Sequence, residues 1–341
     1  MKGIKCIIWD LDNTLWEGIL SENDNLTLKE GIKEIIVELD SRGILHSIAS
    51  KNSYDDAMKK LKAFEIDEYF VYPQISWDAK SYGVGEIQKK LNIGMDTIAF
   101  IDDQLFELDE VKSMHPEMTC INALEYKTLL TNPRFIPEFI TEDSKRRRLM
   151  YLEDIERTEA ESAYQGPQEK FLSSLNMRFT ISQAKEEDLK RAEELTIRTN
   201  QLNSTGNCYS YDELEAYRNS PDHKLYVCEL VDKYGSYGKI GLALIEITEI
   251  EWVIKLLLMS CRVMSRGVGT ILLSYMMKQA KQEGKKLLAD FRTTKRNKMM
   301  HVTYAFSNFK EKFNDGEGNI IFENDLSTIQ DYPKYVDVKV D

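Results

Sequence analysis

The sequence predicts an α/β protein with two successive domains. The chain has 341 residues and 42% hydrophobic content, and single cores stop growing at roughly 250–300 residues, so two cores are expected. Up to about residue 125, short apolar runs alternate with amphipathic helical patterns, and a second alternation starts after Met177. Apolar strands separated by helices are typical of a parallel sheet with both faces covered.

The first alternation predicts strands that are each followed by a helix. A parallel sheet of this kind binds ligands at the carboxyl ends of its strands. The strands are predicted at Ile4–Trp9, Leu45–Ala49, Phe70–Ile75 and Thr97–Ile101, and the helices at Leu28–Arg42, Tyr54–Phe64, Ser81–Leu91 and Phe106–Met114.

Residues 131–175 form a charged helical pattern, predicted as an arm between domains at 1–130 and 176–341. The basic run Lys145–Arg148 in this arm is interpreted as a solvated helix face rather than a phosphate contact. In the second domain we expect strands at Arg178–Gln183, Leu225–Val231, Ile240–Ile250 and Trp252–Ser260, and helices at Glu186–Thr199, Tyr211–Arg218 and Val268–Glu283.

Composition argues against several classes of function. The net charge of −12, from 57 acidic and 45 basic residues, repels phosphate backbones, so no nucleic-acid partner is expected. A small phosphorylated substrate stays compatible, because a bound divalent cation inverts the local field of an acidic site. The apolar runs are too short for a signal peptide or a membrane span. Five scattered cysteines without a CxxC pair argue against a disulfide framework and structural zinc, and favour the cytoplasm.

Two carboxylates stand just after the first predicted strand. In an extended backbone, Asp10 and Asp12 point to the same side and converge on one ligand. One carboxylate of such a pair can attack phosphorus and bind a metal ion, while the other protonates the leaving oxygen and later activates water. The same spacing is also common in turns and helix caps.

Three further features lie at the ends of the later strands. Ser50 offers a hydroxyl and a backbone N–H to a phosphoryl oxygen, Lys80 offers a cation, and Asp102 with Asp103 completes an oxygen-rich magnesium shell. Taken singly, these residues are equally typical of an N-cap, a solvated lysine and a turn. Their shared position at strand ends favours one phosphoryl-transfer site. None of the four histidines has a metal-ligand pattern.

The motifs Asp10-Leu-Asp12-Asn-Thr14, Ser50, Lys80 and Asp102-Asp103 resemble, in order, the motifs of the haloacid dehalogenase (HAD) superfamily. The resemblance implies that Asp10 accepts the phosphoryl group and Asp12 is the acid/base. It implies Mg²⁺ on Asp10, Asp102 and the Asp12 carbonyl, with Asp103 as a further ligand. The implied phosphate ligands are Thr14, Ser50, Lys51, Asn52 and Lys80.

Four sequence segments resemble the FkbH-like subfamily, namely WDLDNTLWEGIL, IASKNS, WDAKS and FIDDQLFE. In this subfamily a HAD domain precedes a GNAT-like, acetyltransferase-related domain. The similarity continues through RTNQLNSTGNCYS and LMSCRVMSRGVGTILL, and so covers nearly the whole chain. It implies a HAD-type Rossmann-like sheet followed by a GNAT-like α/β domain. It also implies an enzyme that dephosphorylates 1,3-bisphosphoglycerate and loads the glyceryl group onto the phosphopantetheine thiol of an acyl carrier protein.

Two positions depart from that pattern. The family's cysteine before Ser-Lys-Asn is Ala49 here, so thioester chemistry at that position is excluded. Cys6 and Cys261 are the remaining thiol candidates, although isolated cysteines in apolar strands are mostly packing residues. The acetyltransferase pattern has Gln or Arg where this chain has Met264.

The second domain contains candidates for binding phosphopantetheine or a coenzyme A-like group. Arg266-Gly267-Val268-Gly269 opens a predicted helix and can present N–H groups to a pyrophosphate, although Gly-x-Gly at a helix start is also a packing device. Arg198 and Asn200 are the main polar candidates, and Gln201, Asn203, Thr294, Lys295 and Asn297 belong to the same clusters. Recognition of a carrier's phosphopantetheine arm is favoured here over true acetyl transfer.

The leading hypothesis is a bifunctional enzyme that removes a phosphoryl group at Asp10 and delivers a short acyl group to an acyl carrier protein. The alternative is a simple phosphatase of a small metabolite with a noncatalytic GNAT-like domain. A noncatalytic scaffold protein is disfavoured, because every HAD motif residue is retained.

Overall fold

The computed structural model describes residues 2–22, 25–137 and 140–341. The chain divides into two units, Met1–Asp154 and Ile155–Asp341. The residues of the predicted arm fall into both units, and 138–139 within it lie outside the described residues.

The first unit alternates strands and helices in the predicted order. Its strands are β1 (Cys6–Trp9), β2 (Trp16–Glu17), β3 (Thr27–Leu28), β4 (Leu45–Ser50), β5 (Gln74–Ile75), β6 (Ile98–Asp102) and β7 (Thr119–Asn122). Its helices are α1 (Ile32–Ser41), α2 (Tyr54–Ala63), α3 (Lys80–Leu91), α4 (Leu105–Met114) and α5 (Glu142–Lys145), and α6 (Arg147–Ala163) continues into the second unit.

The main sheet of the first unit is parallel, with the strand order β5-β4-β1-β6-β7. β1 therefore lies at the centre, between β4 and β6. Its side chains alternate between two apolar clusters, Ile7 and Trp9 in one and Cys6 and Ile8 in the other. This alternation explains why the central strand is apolar throughout.

One predicted strand is wrong over most of its length. The sequence predicts a strand at Phe70–Ile75, whereas only Gln74–Ile75 pairs with β4 as a strand. Tyr72 has a φ of 52°, which lies outside the β region, and Pro73 next to it has no N–H to donate to a ladder. The apolar residues Phe70 and Val71 are nevertheless buried.

The basic run Lys145–Arg148 is predicted to be a solvated helix face. Two of its residues, Arg147 and Arg148, instead contact other parts of the first unit. Arg148 Nε lies 3.1 Å from Asp40 Oδ2, and its guanidinium stacks 4.6 Å from the centre of the Tyr69 ring. Arg147 Nη1 donates to the Gly43 carbonyl oxygen at 2.6 Å. These contacts fasten the segment after 140 to the end of α1.

The second unit is built on an eight-stranded mixed sheet with the order β13-β14-β12-β11-β10-β9-β8-β15. Its helices are α7 (Gln168–Ser174), α8 (Leu189–Arg198), α9 (Tyr211–Asn219), α10 (Ile271–Gln282) and α11 (Lys298–Phe306). Its strands are β8 (Met177–Gln183), β9 (His223–Asp232), β10 (Gly235–Ile247), β11 (Glu251–Met259), β12 (Lys286–Arg292), β13 (Lys310–Asn314), β14 (Asn319–Asn324) and β15 (Val336–Val340).

β11 and β12 pair in parallel only over Glu251–Ile254 and Lys286–Ala289. Beyond that point the segment Leu202–Ser204 lies between them. Two hydrogen bonds join this segment to β11: the Met259 N–H donates to the Leu202 carbonyl oxygen, and the Ser204 N–H donates to the Leu257 carbonyl oxygen, both at 2.9 Å. On the other side, the Arg292 N–H of β12 donates to the Ser204 carbonyl oxygen at 2.9 Å. The motif around Asn203 is thus part of the sheet architecture.

Among the residues that the structure describes, no helix combines the length and the apolar character needed to cross a membrane.

Candidate active site

The candidate site lies where β1, β4 and β6 end, at the carboxyl edge of the parallel sheet. Asp10 follows β1, Ser50 is the last residue of β4, and Asp102 is the last residue of β6. The sheet order places β1 between the other two strands. Residues more than 90 positions apart in sequence therefore meet at one edge.

Lys80 links two of these carboxylates. Its Nζ lies 3.0 Å from Asp10 Oδ1 and 2.7 Å from Asp102 Oδ2, and all three residues are buried. Lys80 is the first residue of α3, so the start of this helix determines where the amine lies. Burial opposes a charged lysine, but the two carboxylates raise the pKa of Lys80 above its ordinary value.

Asp10 and Asp102 are both perturbed by burial. Burial raises the pKa of Asp10 to about 7, with Lys80 acting in the opposite direction and the Asp102 charge adding to the rise. Burial likewise raises the pKa of Asp102, although Lys80 opposes this. Perturbed carboxyl groups beside a buried cation are typical of functional sites.

Three carboxylates are arranged to hold a cation. One oxygen each from Asp10, Asp102 and Asp103 lies within 4.8 Å of the others. The Oδ1 atom of Asp103 is buried and has no hydrogen-bond partner within the described residues. Mg²⁺ prefers such oxygen ligands, and a cation here would compensate the buried charge. The residues present therefore fit a divalent cation.

Asp12 is held differently from Asp10. Its Oδ1 accepts hydrogen bonds from Trp16 Nε1 and the Leu20 N–H, both at 2.9 Å. Its Oδ2 accepts one from Asn52 Nδ2 at 3.0 Å. These three donors orient the carboxylate.

Of the remaining predicted phosphate ligands, Ser50 and Asn52 contact these carboxylates, and Thr14 and Lys51 do not. Asn52 Nδ2 also donates to Ser50 Oγ at 3.2 Å, and the Ser50 hydroxyl is hydrogen-bonded to Asp10. The Thr14 hydroxyl is buried without a hydrogen-bond partner in the described part of the chain. Lys51 Nζ lies 2.9 Å from Glu107 Oε1.

Three tryptophans lie next to the motif residues in sequence and differ in how deeply they are buried. Trp9 is buried in the core and donates from Nε1 to His46 Nδ1 at 3.0 Å. Trp16 is buried and holds Asp12. Trp77 is 72% exposed, so it belongs to the surface.

Two glutamates that sequence reasoning did not assign also contact the motif residues. Glu107 pairs with Lys51, and Glu110 accepts a hydrogen bond from the Ser81 N–H in the first turn of α3 at 3.2 Å. Glu107 belongs to the quoted FIDDQLFE motif, which was the available signal. Glu110 carries no such signal, because its partner lies 29 residues away.

In the second unit, Arg266 and Gly267 end a 3₁₀ turn before α10. Arg266 is only 3% exposed, and its Nη1 lies 2.9 Å from Glu161 Oε2. A Cβ at Gly267 would lie 2.2 Å from the Tyr335 hydroxyl, whereas a Cβ at Gly269 would meet no atom within 4 Å. The φ of 69° at Gly267 favours glycine there, and any side chain at this position would also have to displace the Tyr335 ring.

The polar candidates of the second unit differ in exposure. Arg198 Nε pairs with Glu194 Oε1 at 2.9 Å, and Asn200 is exposed. Asn203 and Asn297 are buried, and Asn297 Nδ2 donates to the Asn203 carbonyl oxygen at 3.0 Å. These two asparagines brace loops, which leaves little of either for a ligand. Gln201 and Thr294 are partly exposed, and Lys295 is exposed.

Comparisons with known proteins agree with the geometry of the first unit. Residues 16–115 match the family of haloacid dehalogenase-like hydrolases; Asp10 and Asp12 lie just before the matched range. No curated protein matches the sequence at a significant level.

Solved structures resemble each unit in part. The phosphatase-containing N-terminal part of a Bacteroides fragilis protein, solved with Mg, is 30% identical, with 44% of this chain and 39% of that chain covered and a TM-score of 0.29. The chain thus spans 39% of that relative's length. The ribosomal-protein-S18-alanine N-acetyltransferase of Escherichia coli is 16% identical, with 45% and 97% covered and a TM-score of 0.35.

The first unit is a haloacid dehalogenase-like hydrolase domain. Its parallel sheet, with β1 at the centre, brings Asp10, Asp102 and Asp103 together at the carboxyl ends of the strands. The predicted α/β fold class and the prediction of an enzyme of this superfamily are confirmed.

Proposed function

We propose that this protein is a magnesium-dependent phosphatase or phosphotransferase that acts on a small phosphorylated acyl donor, such as 1,3-bisphosphoglycerate, and delivers the acyl group to an acyl carrier protein. The observation that carries the phosphoryl half is the convergence of Asp10, Asp102 and Asp103 around Lys80. The acyl half rests on the resemblance to the FkbH-like subfamily.

The proposal assigns a separate task to each of Asp10, Asp12, Lys80 and Ser50. Asp10 attacks the phosphorus atom, and Asp12 protonates the leaving oxygen and then takes a proton from water. Lys80 and Ser50 hold the phosphoryl oxygens. Asp10, Asp102 and Asp103 would hold Mg²⁺, which when bound would supply positive charge to offset that of the phosphoryl group.

The two candidate thiols, Cys6 and Cys261, do not carry the acyl group in this proposal. Burial raises the pKa of both, so both favour the thiol form, which is a poor nucleophile. Ala49, in the position of the family's cysteine, is buried in β4. The carrier thiol would therefore attack the acyl carbon of 1,3-bisphosphoglycerate directly, so that the C–S bond forms as the bond between that carbon and its phosphate oxygen breaks, phosphate leaves, and the thiol proton passes to water. Asp10 then removes the remaining phosphoryl group.

The alternative is a simple phosphatase of a small metabolite. Two observations favour it, namely Ala49 and the ion pair that occupies Arg266 with Glu161. Position 49 has no thiol to carry an acyl group, and Arg266, the predicted contact for phosphopantetheine, is paired with Glu161 instead.

The test is phosphate release from 1,3-bisphosphoglycerate and from simple sugar phosphates, with and without Mg²⁺ and a holo carrier protein. Asp10→Asn should lower release at least about a thousandfold, because it removes the nucleophile. A glyceryl thioester on the carrier, seen by intact mass, supports the acyl half. Phosphate release that depends on Asp10 but is unchanged by the carrier protein, with no thioester formed, supports the simple phosphatase.

A further inference from the structure

Helix α4 starts directly after the cation-binding carboxylates. Asp102 ends β6, and α4 begins at Leu105. Its glutamates at 107 and 110 are three residues apart, so they lie on the same face of the helix. Each of them contacts an element that carries a lysine of the candidate site.

Glu107 connects the two strands that flank the nucleophile strand. Its Oε1 lies 2.9 Å from Lys51 Nζ, and Lys51 directly follows β4, whereas α4 follows β6. The Glu107 side chain is 8% exposed and that of Lys51 is 37% exposed. The Oε2 atom of Glu107 is buried and has no hydrogen-bond partner among the residues described. Burying a carboxylate costs solvation free energy, and the ion pair with Lys51 is the interaction that compensates the charge of Glu107.

Glu110 caps the helix that begins with Lys80. The preceding residue, Ala79, has no side chain able to cap α3. Instead, Glu110 Oε2 accepts a hydrogen bond from the Ser81 N–H at 3.2 Å, and Ser81 Oγ donates to Oε1. A carboxylate at a helix N-terminus satisfies a free N–H and interacts favourably with the helix dipole. The first turn of α3 is thereby fixed at the residue after Lys80.

We propose that Glu107 and Glu110 are positioning residues, through which α4 holds Lys51 and Lys80 in place relative to the carboxylates that precede the helix. The proposal rests on the proposed role of Lys80 in holding phosphoryl oxygens and on the phosphate-binding role that the family resemblance implies for Lys51. Because Lys51 is partly exposed and does not contact Asp10, its displacement weakens substrate binding. Lys80 contacts the nucleophile, so its displacement slows the chemical step.

The experiment compares Glu107→Gln, Glu110→Gln and Asp109→Asn with the native chain. p-Nitrophenyl phosphate and Mg²⁺ serve as the probe, and steady-state kinetics separates kcat from KM. Glu107→Gln should raise KM five- to tenfold with kcat within twofold. Glu110→Gln should lower kcat about tenfold with KM within twofold. Asp109 is an exposed carboxylate of the same helix, so Asp109→Asn controls for loss of charge and should change neither.

A double-mutant cycle shows whether Glu107 acts through Lys51. In a Lys51→Met background, Glu107→Gln should have no further effect on KM, whereas additive effects would overturn the proposal. Equal losses in all three single variants would overturn it as well, because they would indicate a general defect of α4.

A binding measurement keeps this test separate from that of the proposed function. Calorimetric titration with inorganic phosphate and Mg²⁺ needs no turnover. Weaker phosphate binding by Glu107→Gln, with native affinity in Asp109→Asn, supports the positioning role even if the natural substrate is different. Native affinity in Glu107→Gln contradicts it. An Asp10→Asn variant that still releases phosphate would contradict the proposed function alone.

Discussion

Asp12 receives three hydrogen bonds, and one of them comes from a buried indole. Trp16 Nε1 donates to Asp12 Oδ1 at 2.9 Å. Trp16→Phe should keep most of the packing but remove this donor. Hydrogen bonds to charged groups contribute about 1.5–3 kcal/mol, and a residue that exchanges protons needs a defined orientation. We therefore expect kcat for phosphate release to fall about tenfold or more, with KM little changed.

The matched control for this substitution is Trp252→Phe. Trp252 is as deeply buried as Trp16, and its Nε1 donates to Glu283 Oε2 at 2.9 Å, but it belongs to the second unit. Loss of an equivalent hydrogen bond there should leave kcat unchanged. A similar fall in both variants would show that Trp16 acts on stability rather than on Asp12.

His46 links the stability of the first unit to pH. It is buried between Trp9 Nε1, which donates to its Nδ1, and the Ile36 carbonyl oxygen, 3.1 Å from its Nε2. Burial lowers its pKa from 6.5 to about 3, so below pH 6.5 the unfolded chain takes up a proton that the folded chain excludes. The contribution of His46 to folding stability should therefore fall by about 2 kcal/mol as the pH falls from 8 to 5, while the raised pKa of Asp10 acts in the opposite direction.

Urea unfolding at several pH values measures this effect. His46→Gln keeps a donor and an acceptor and should remove the His46 contribution, so the difference in stability between this variant and the native chain should shift by about 2 kcal/mol in favour of the variant between pH 8 and 5. His115→Gln, at a partly buried histidine of the same unit, is the control. An equal shift in both variants would contradict the assignment to His46.

Sequence patterns revealed the residues of the site better than they revealed the residues that orient them. Asp10, Ser50 and Asp102 each follow a predicted strand, and Lys80 lies at the start of the next helix, so their shared location follows from the rules of parallel sheets. The partners of these residues, such as Glu110 with Ser81, are distant in sequence and leave no spacing pattern. Only the folded chain shows these pairs.

At the scale of elements, the turn after α1 depends on Gly43. This residue has a φ of 75°, and a Cβ on it would lie 2.7 Å from the Ser144 carbonyl oxygen. Gly43→Ala should therefore lower the free energy of unfolding by about 2–4 kcal/mol, through backbone strain and a clash with α5.

Gly31, at the start of α1, separates these two contributions. It has the same φ of 75°, but a Cβ there would meet no atom within 4 Å. Gly31→Ala should cost only about 1–2 kcal/mol, the backbone term alone. Chemical denaturation of both variants measures the difference, and equal costs would show that the contact with Ser144 is unimportant.

The predicted elements were most accurate where a strand is buried on both faces. β1, β4 and β6 are buried at every position and are found within two residues of the predicted bounds, although β4 also contains the polar residues His46 and Ser47. The pattern assigned no element after 283, although α11 and four strands lie there. β13, for example, is exposed at every position and has no buried face to produce an alternation. Its partners, rather than its own residues, make it a strand.

At the scale of the whole molecule, each described apolar cluster lies within one of the two units. We therefore expect two unfolding transitions in calorimetry. Mg²⁺ should raise the midpoint of one of them, because the candidate ligands all belong to the first unit. At a hundredfold excess over Kd the gain is about 2.7 kcal/mol.

Asp102→Asn should abolish this shift, and Asp109→Asn should keep it. A shift of both transitions, or a shift that persists in Asp102→Asn, would argue that Mg²⁺ binds elsewhere.

The central position of β1 also determines when the site can exist during synthesis. A ribosome completes β4 about 50 residues before it completes Ile98–Asp102, so β1 stays without one of its two neighbouring strands for that interval. At about 5–20 residues per second, the nascent chain spends several seconds with β1 half paired. During that interval the apolar edge of β1 that later pairs with β6 is open to other chains.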